Sequence, residues 1–133
     1  MRLKITFVIA QCDNQTSISD PNRFRILLDD NMNFPSRYIS TDDEYDTLKG
    51  LSDDFLRVDF EWLPKEIRGF RKLKVESLEL KTPVFELVYC SYMPMILGSE
   101  KQGYFFTEKE ICDMNVEIDD FYTEILSARS RSL

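Results

Sequence analysis

Apolar residues run almost without a break from Leu3 to Cys12, and β-branched side chains are common among them. That is the pattern of a strand buried on both faces. Asp13 to Asn22 is polar and closes on the turn residues Asp20-Pro21-Asn22. Arg23 to Leu28 alternates and then turns apolar, which predicts a second strand. Asp29 to Asn33 reads as a turn, and Phe34-Pro35 opens a short extended piece through Ile39. Thr41 with Glu44 three positions on matches a capping box, and the acids around them suit a helix N-terminus. Tyr45, Leu48, Leu51 and Phe55 or Leu56 then form one apolar stripe at helical spacing, so a helix is expected to end near Leu56.

Arg57 to Leu63 alternates like a strand, with Phe60 and Trp62 on one face. Ile67 to Leu80 holds two strand halves around Gly69 and Ser77. Val84 to Met93 is a strong strand bracketed by Pro83 and Pro94, with Phe85, Leu87 and Tyr89 facing one way. Gly103 to Phe106 predicts a short strand, and Thr107 with Glu110 is a second capping box opening a brief helix. Ile118, Phe121, Tyr122, Ile125 and Leu126 fall on one face of a C-terminal amphipathic helix, with Ser127 to Leu133 expected to fray. This order favours an α+β sandwich, a mixed sheet flanked by helices, over regular βαβ alternation. The length, 133 residues, suits one domain over 1–133.

Composition narrows the chemistry. Apolar residues make up 43% and aromatics 13%, ample for a packed interior, and the charged fraction is 31%. Histidine is absent, which removes histidine-based nucleophilic catalysis and histidine metal ligation. Any metal site would be oxygen-rich and suited to magnesium or manganese. Cys12, Cys90 and Cys112 are odd in number, widely spaced and form no Cys-x-x-Cys pair, so reduced thiols in a cytoplasmic protein are expected rather than zinc. A net charge of -7 disfavours broad nucleic-acid binding and leaves only a local basic patch for it. No apolar run reaches the roughly 18 to 20 residues that cross a bilayer, and no small-residue cleavage site follows the apolar start.

Two segments carry a family resemblance. Phe34-Pro35-Ser36-Arg37-Tyr38-Ile39 is similar to the Leu-Pro-Gly-Gly turn of the Nudix family. Lys49-Gly50-Leu51-Ser52-Asp53-Asp54 is similar to its metal-binding helix motif, Arg-Glu-x-x-Glu-Glu. Val84 to Tyr89 resembles the family's later core strand and Glu117 to Leu126 its terminal helix. The resemblance implies a Nudix-like mixed-sheet sandwich and, in a complete motif, glutamates that bind magnesium or manganese and act on nucleoside diphosphate derivatives. Lys49 stands in the arginine position, and Gly50 in that of the first glutamate. Asp53 and Asp54 replace the final glutamate pair. Both turn glycines are replaced, and the interval between turn and helix is shorter. Aspartate draws its carboxylate roughly 1 Å back from a metal held in the usual place, and magnesium tolerates little geometric error. Gly50 brings no carboxylate and costs the helix about 1 kcal/mol relative to alanine.

The first reading is therefore a non-catalytic Nudix-like binding domain with no catalytic residue and no cofactor. It would be an accessory subunit with a protein partner, or a sensor of a nucleotide-like ligand. The alternative is a divergent hydrolase using magnesium or manganese on Asp53 and Asp54. A third reading is an unrelated small α+β interaction protein. Asp53 and Asp54 read either as weak metal ligands or as solvated acids late in a helix. Lys49, Arg68, Arg71 and Lys72 are candidates for holding a phosphate, with Phe70 and Trp62 nearby for stacking; otherwise they belong to a solvated hairpin. Tyr92, Met93, Met95, Tyr104 and Phe105 are candidate interface anchors or core.

Overall fold

The computed structural model describes residues 2–12, 24–39, 43–73 and 83–132, with side chains described through 126. The strands are β1 (Arg2–Cys12), β2 (Phe24–Leu28), β3 (Ser36–Tyr38), β4 (Glu66–Lys72), β5 (Val84–Pro94) and β6 (Tyr104–Thr107). The helices are α1 (Glu44–Phe55), α2 (Glu108–Asp113) and α3 (Asp120–Ser132), with one 3-10 turn at Phe60–Trp62. Among the described residues the strands form one mixed sheet, ordered β4-β5-β1-β2-β6, with β3 also paired to β1.

β1 is the axis of this sheet. Along one side it runs parallel to β5 for its whole length, from Arg2 opposite Val84 to Cys12 opposite Pro94. Its other side is divided between antiparallel β3 at Lys4–Thr6 and antiparallel β2 at Ala10–Cys12. A strand with neighbours on both sides and helices on both faces has no polar side, which explains the continuous apolar run. Ile5, Phe7 and Ile9 pack with Leu48, Leu51, Leu56 and Phe60 beneath α1 and the 3-10 turn. Val8 packs with Leu28, Phe34, Val88, Ile111 and Ile125 beneath α2 and α3. The result is the expected α+β sandwich.

Helix α1 starts at Asp43, whose side chain accepts the Asp46 N–H at 2.8 Å. The expected cap, Thr41, lies outside the described residues. Aspartate caps as well as threonine, and its charge also suits the positive end of the helix. Asp43→Ala should cost about 1 kcal/mol, read from urea denaturation, with Asp43→Asn retaining most of the stability.

The predicted strand over Arg57–Leu63 is instead an extended exit from α1 followed by the 3-10 turn. Asp59 is the cause. Its side chain accepts the Glu61 N–H at 3.0 Å, a local hydrogen bond that competes with strand pairing. Phe60 and Trp62 therefore part company: Phe60 is 1% exposed and Trp62 81%. The first half of the predicted Ile67–Leu80 hairpin is β4, with a register shift between Ile67 and Gly69; residues 74–80 lie outside those described. At Gly69 an added Cβ would fall 2.6 Å from Phe121 and 3.0 Å from Ile125, so glycine lets α3 lie directly on β4. The capping box at Thr107 and Glu110 forms as predicted, with both reciprocal bonds at 3.1 Å. α3 begins after Ile118 and continues to Ser132, through the stretch expected to fray.

One buried carboxylate fastens α3 to the sheet. Glu86, on β5, is 0% exposed. Thr6 Oγ1 donates to it at 2.6 Å, Arg71 Nε at 2.9 Å, and the Tyr122 hydroxyl donates to the same oxygen as Thr6. Arg71 reaches on to Asp119 at 2.8 Å and lies over the Phe121 ring at 4.4 Å. Burial first, then the bond to Glu86, pushes the Tyr122 hydroxyl well above its ordinary pKa. Every acceptor oxygen of Glu86 has a donor, which is the condition for burying a charge at tolerable cost.

Candidate functional site

The last turn of α1 places Asp53 and Asp54 on the surface beside the helix's C-terminal end. Each carboxylate is held by a cation of this chain. Lys49 Nζ, one turn earlier, lies 2.9 Å from Asp53, and that bond raises the lysine pKa. Arg37 Nη2, on β3, pairs with Asp54. These side chains are about half exposed, at 45–49%, so solvent screens both pairs and each adds little stability.

Gly50 gives the arrangement its shape. A Cβ built there would lie 2.7 Å from Arg37 Nη1. The arginine head therefore rests against bare helix backbone, in the space that a side chain at position 50 would need. β3 delivers it there because Arg37 pairs opposite Ile5 of β1, on the sheet side that α1 covers.

A third cation closes the helix end. Lys101 Nζ donates to the Asp53 carbonyl at 2.8 Å and Gln102 Nε2 to the Asp54 carbonyl at 3.0 Å. These are helix-terminal carbonyls that need partners, and a lysine there also suits the negative end of the helix. The segment 96–102 is itself anchored. Gln11 Nε2 donates to the Ile96 carbonyl at 3.1 Å and to Ser99 Oγ at 2.7 Å, while the Arg57 N–H donates to the Ser99 carbonyl at 2.7 Å. Asp53 and Asp54 thus sit among Arg37, Lys49 and Lys101. Among the described residues, no three Asp, Glu, Cys or His side chains gather in a group that could hold a metal ion.

The candidate phosphate-binding cations do not converge on one open site. Lys49 holds Asp53, Arg68 holds Glu66 at 2.6 Å, and Arg71 holds Glu86 and Asp119. Strand alternation puts Arg71 on the α3 side of the sheet and Lys72 on the α1 side. Phe70 shares the Lys72 side and stacks on Phe85, with ring centroids 5.5 Å apart.

The candidate interface residues also separate. Met93 is 2% exposed and packs in the core beneath α1, so it presents no surface; its alternation places it with Ile9 and Phe60. Phe105 packs against the same core. Tyr92 is half-buried beside α2 and α3, and Met95 is half-buried. Tyr104 is the most exposed of the five, at 62%. Sequence reasoning missed Arg37 and Lys101, because their contacts with α1 come from segments remote in sequence.

No protein-family model matches the chain, and no curated protein matches it. Solved structures do. The Nudix domain of Shewanella oneidensis NrtR, complexed with ADP ribose, aligns over 98% of this chain and 88% of its own, at 16% identity and a TM-score of 0.64. A C. elegans Ap4A hydrolase in a binary complex aligns over 100% of both chains, at 8% identity and a TM-score of 0.64. The C-terminal domain of mouse MUTYH, in complex with human PCNA, aligns over 99% of this chain and 88% of its own, at 12% identity and a TM-score of 0.60. What these share with the chain is the fold.

Proposed function

From this Nudix-like fold, we propose a binding domain, an accessory subunit or nucleotide-ligand sensor, whose helix α1 is neutralised from within and carries out no metal-dependent hydrolysis. One observation carries the reading: the Arg37 guanidinium occupies the space over Gly50 and pairs with Asp54. A positive charge paired with a carboxylate opposes the approach of a divalent cation to it. It also stands where a further carboxylate ligand would have to project. Asp53 is similarly held by Lys49. Two surface aspartates with their own counterions, and no third acid gathered with them among the described residues, do not fit a magnesium or manganese centre, which needs several converging oxygens. The MUTYH domain, seen with PCNA, supports a protein as the occupant; the NrtR domain, seen with ADP ribose, supports a nucleotide-like one.

Magnesium or manganese should leave the melting temperature of the native chain unchanged, because a cation that does not bind the folded state cannot stabilise it. The double variant Arg37→Ala/Gly50→Glu removes the resident cation and restores a carboxylate. It should acquire a metal-dependent rise in melting temperature. A large rise in the native chain, with release of product from a nucleoside diphosphate derivative, would instead establish the divergent hydrolase.

A further inference from the structure

A cavity of about 310 Å³ lies on the side of the sheet away from Asp53 and Asp54. Its floor includes Phe24, Ile26 and Tyr92 from β2 and β5, and its roof Ile111, Val116 and Leu126 from α2, the following segment and α3. Phe24 and Tyr92 meet edge to face at 6.3 Å and give it an aromatic wall. The volume is at the small end of the range that ligand sites occupy. Among its described lining residues there is one carboxylate, Glu108, and neither lysine nor arginine.

We propose that this cavity is a binding site for a small aromatic molecule, uncharged or cationic, that carries no phosphate. An apolar hollow of this size hydrates poorly and favours an apolar guest. Ring faces and edges of the guest find complementary partners in Phe24 and Tyr92. Phosphate is disfavoured on charge: the described lining supplies no cation to receive it, and the Glu108 carboxylate repels it. The proposal rests on reading the domain as a binding module, but its site is separate from the α1 carboxylates, so each can fail alone.

Cys112 lines the cavity and is exposed, whereas Cys90 is buried, with its thiol pushed up to about 12, chiefly by desolvation. Cys112 is therefore a local reporter of occupancy. The test uses the full chain in EDTA with N-phenyl-1-naphthylamine, a neutral fluorescent aromatic. Binding should be saturable, and mass spectrometry of the modified peptides should show slower alkylation at Cys112 when the probe is present. Val116→Trp, which fills the half-buried rim, should weaken the probe by about tenfold or more and abolish the protection, with the melting transition retained. Adenosine should compete better than adenosine monophosphate. Absence of saturable binding by the folded chain, or full affinity in Val116→Trp, overturns the site. Equal competition by the monophosphate overturns the ligand class. Metal titration and hydrolysis assays read the α1 proposal independently.

Discussion

Arg71→Ala should lower the stability of this protein by about 3 kcal/mol. Removing one partner of a buried pair leaves the other charge uncompensated, at about 3–5 kcal/mol. The low end applies because Thr6 and Tyr122 continue to donate to Glu86 and Arg71 is itself 25% exposed. The loss should appear as a fall of roughly 10 °C in melting temperature. Replacing the whole set, Arg71→Met with Glu86→Leu, Tyr122→Phe and Thr6→Val, should recover much of it, since a buried pair exchanged for packed apolar groups is often neutral. A single Arg71→Ala as stable as the native chain would remove the idea that Glu86 depends on it. The outer arm adds a pH dependence. Asp119 is held below its ordinary value of 3.8 by the Phe121 N–H first and then by Arg71. A lowered carboxyl pKa contributes stability that is complete above the ordinary value and is lost as pH falls below it.

Phe60→Ala should cost about 3–5 kcal/mol, while Trp62→Ala should stay within about 0.5 kcal/mol of the native chain. Phe60 fills the core under α1, meets Tyr45 edge to face at 5.3 Å and receives Lys65 over its ring at 4.1 Å. Lys65 also donates to the Phe60 and Leu63 carbonyls, both at 2.7 Å, so loss of the ring loosens the whole turn. Two residues apart in a strand would share a face and respond alike. Comparable losses for both variants in urea denaturation would restore the strand reading.

The elements that could be read from sequence are those whose pattern is a direct image of their burial. β1 is buried on both sides and β5 alternates as far as Cys90, and α2 announces its own cap. The misreadings occur where one polar side chain redirects the backbone: Asp59 turns an alternating segment into a 3-10 turn, and Asp43 sets the start of α1. The aspartate pair was visible in the sequence, but its surroundings were not. Nothing local marks Arg37 as a neighbour of Gly50. The contact exists because β1 sets β3 under α1, and the absent side chain at position 50 leaves room for it.

The parallel pairing of β1 with β5 has a consequence during synthesis. Thr6 and Glu86 sit 80 positions apart, so β1 is made well before its longest partner. At ~5–20 residues per second, the apolar stretch Ile5–Ala10 waits roughly 4–16 s for β5. Meanwhile β2, β3 and the apolar face of α1 are available to it, but its long edge toward β5 stays unpaired. The nascent chain thus passes through an interval in which an apolar strand presents an open edge, the condition that favours pairing with another chain.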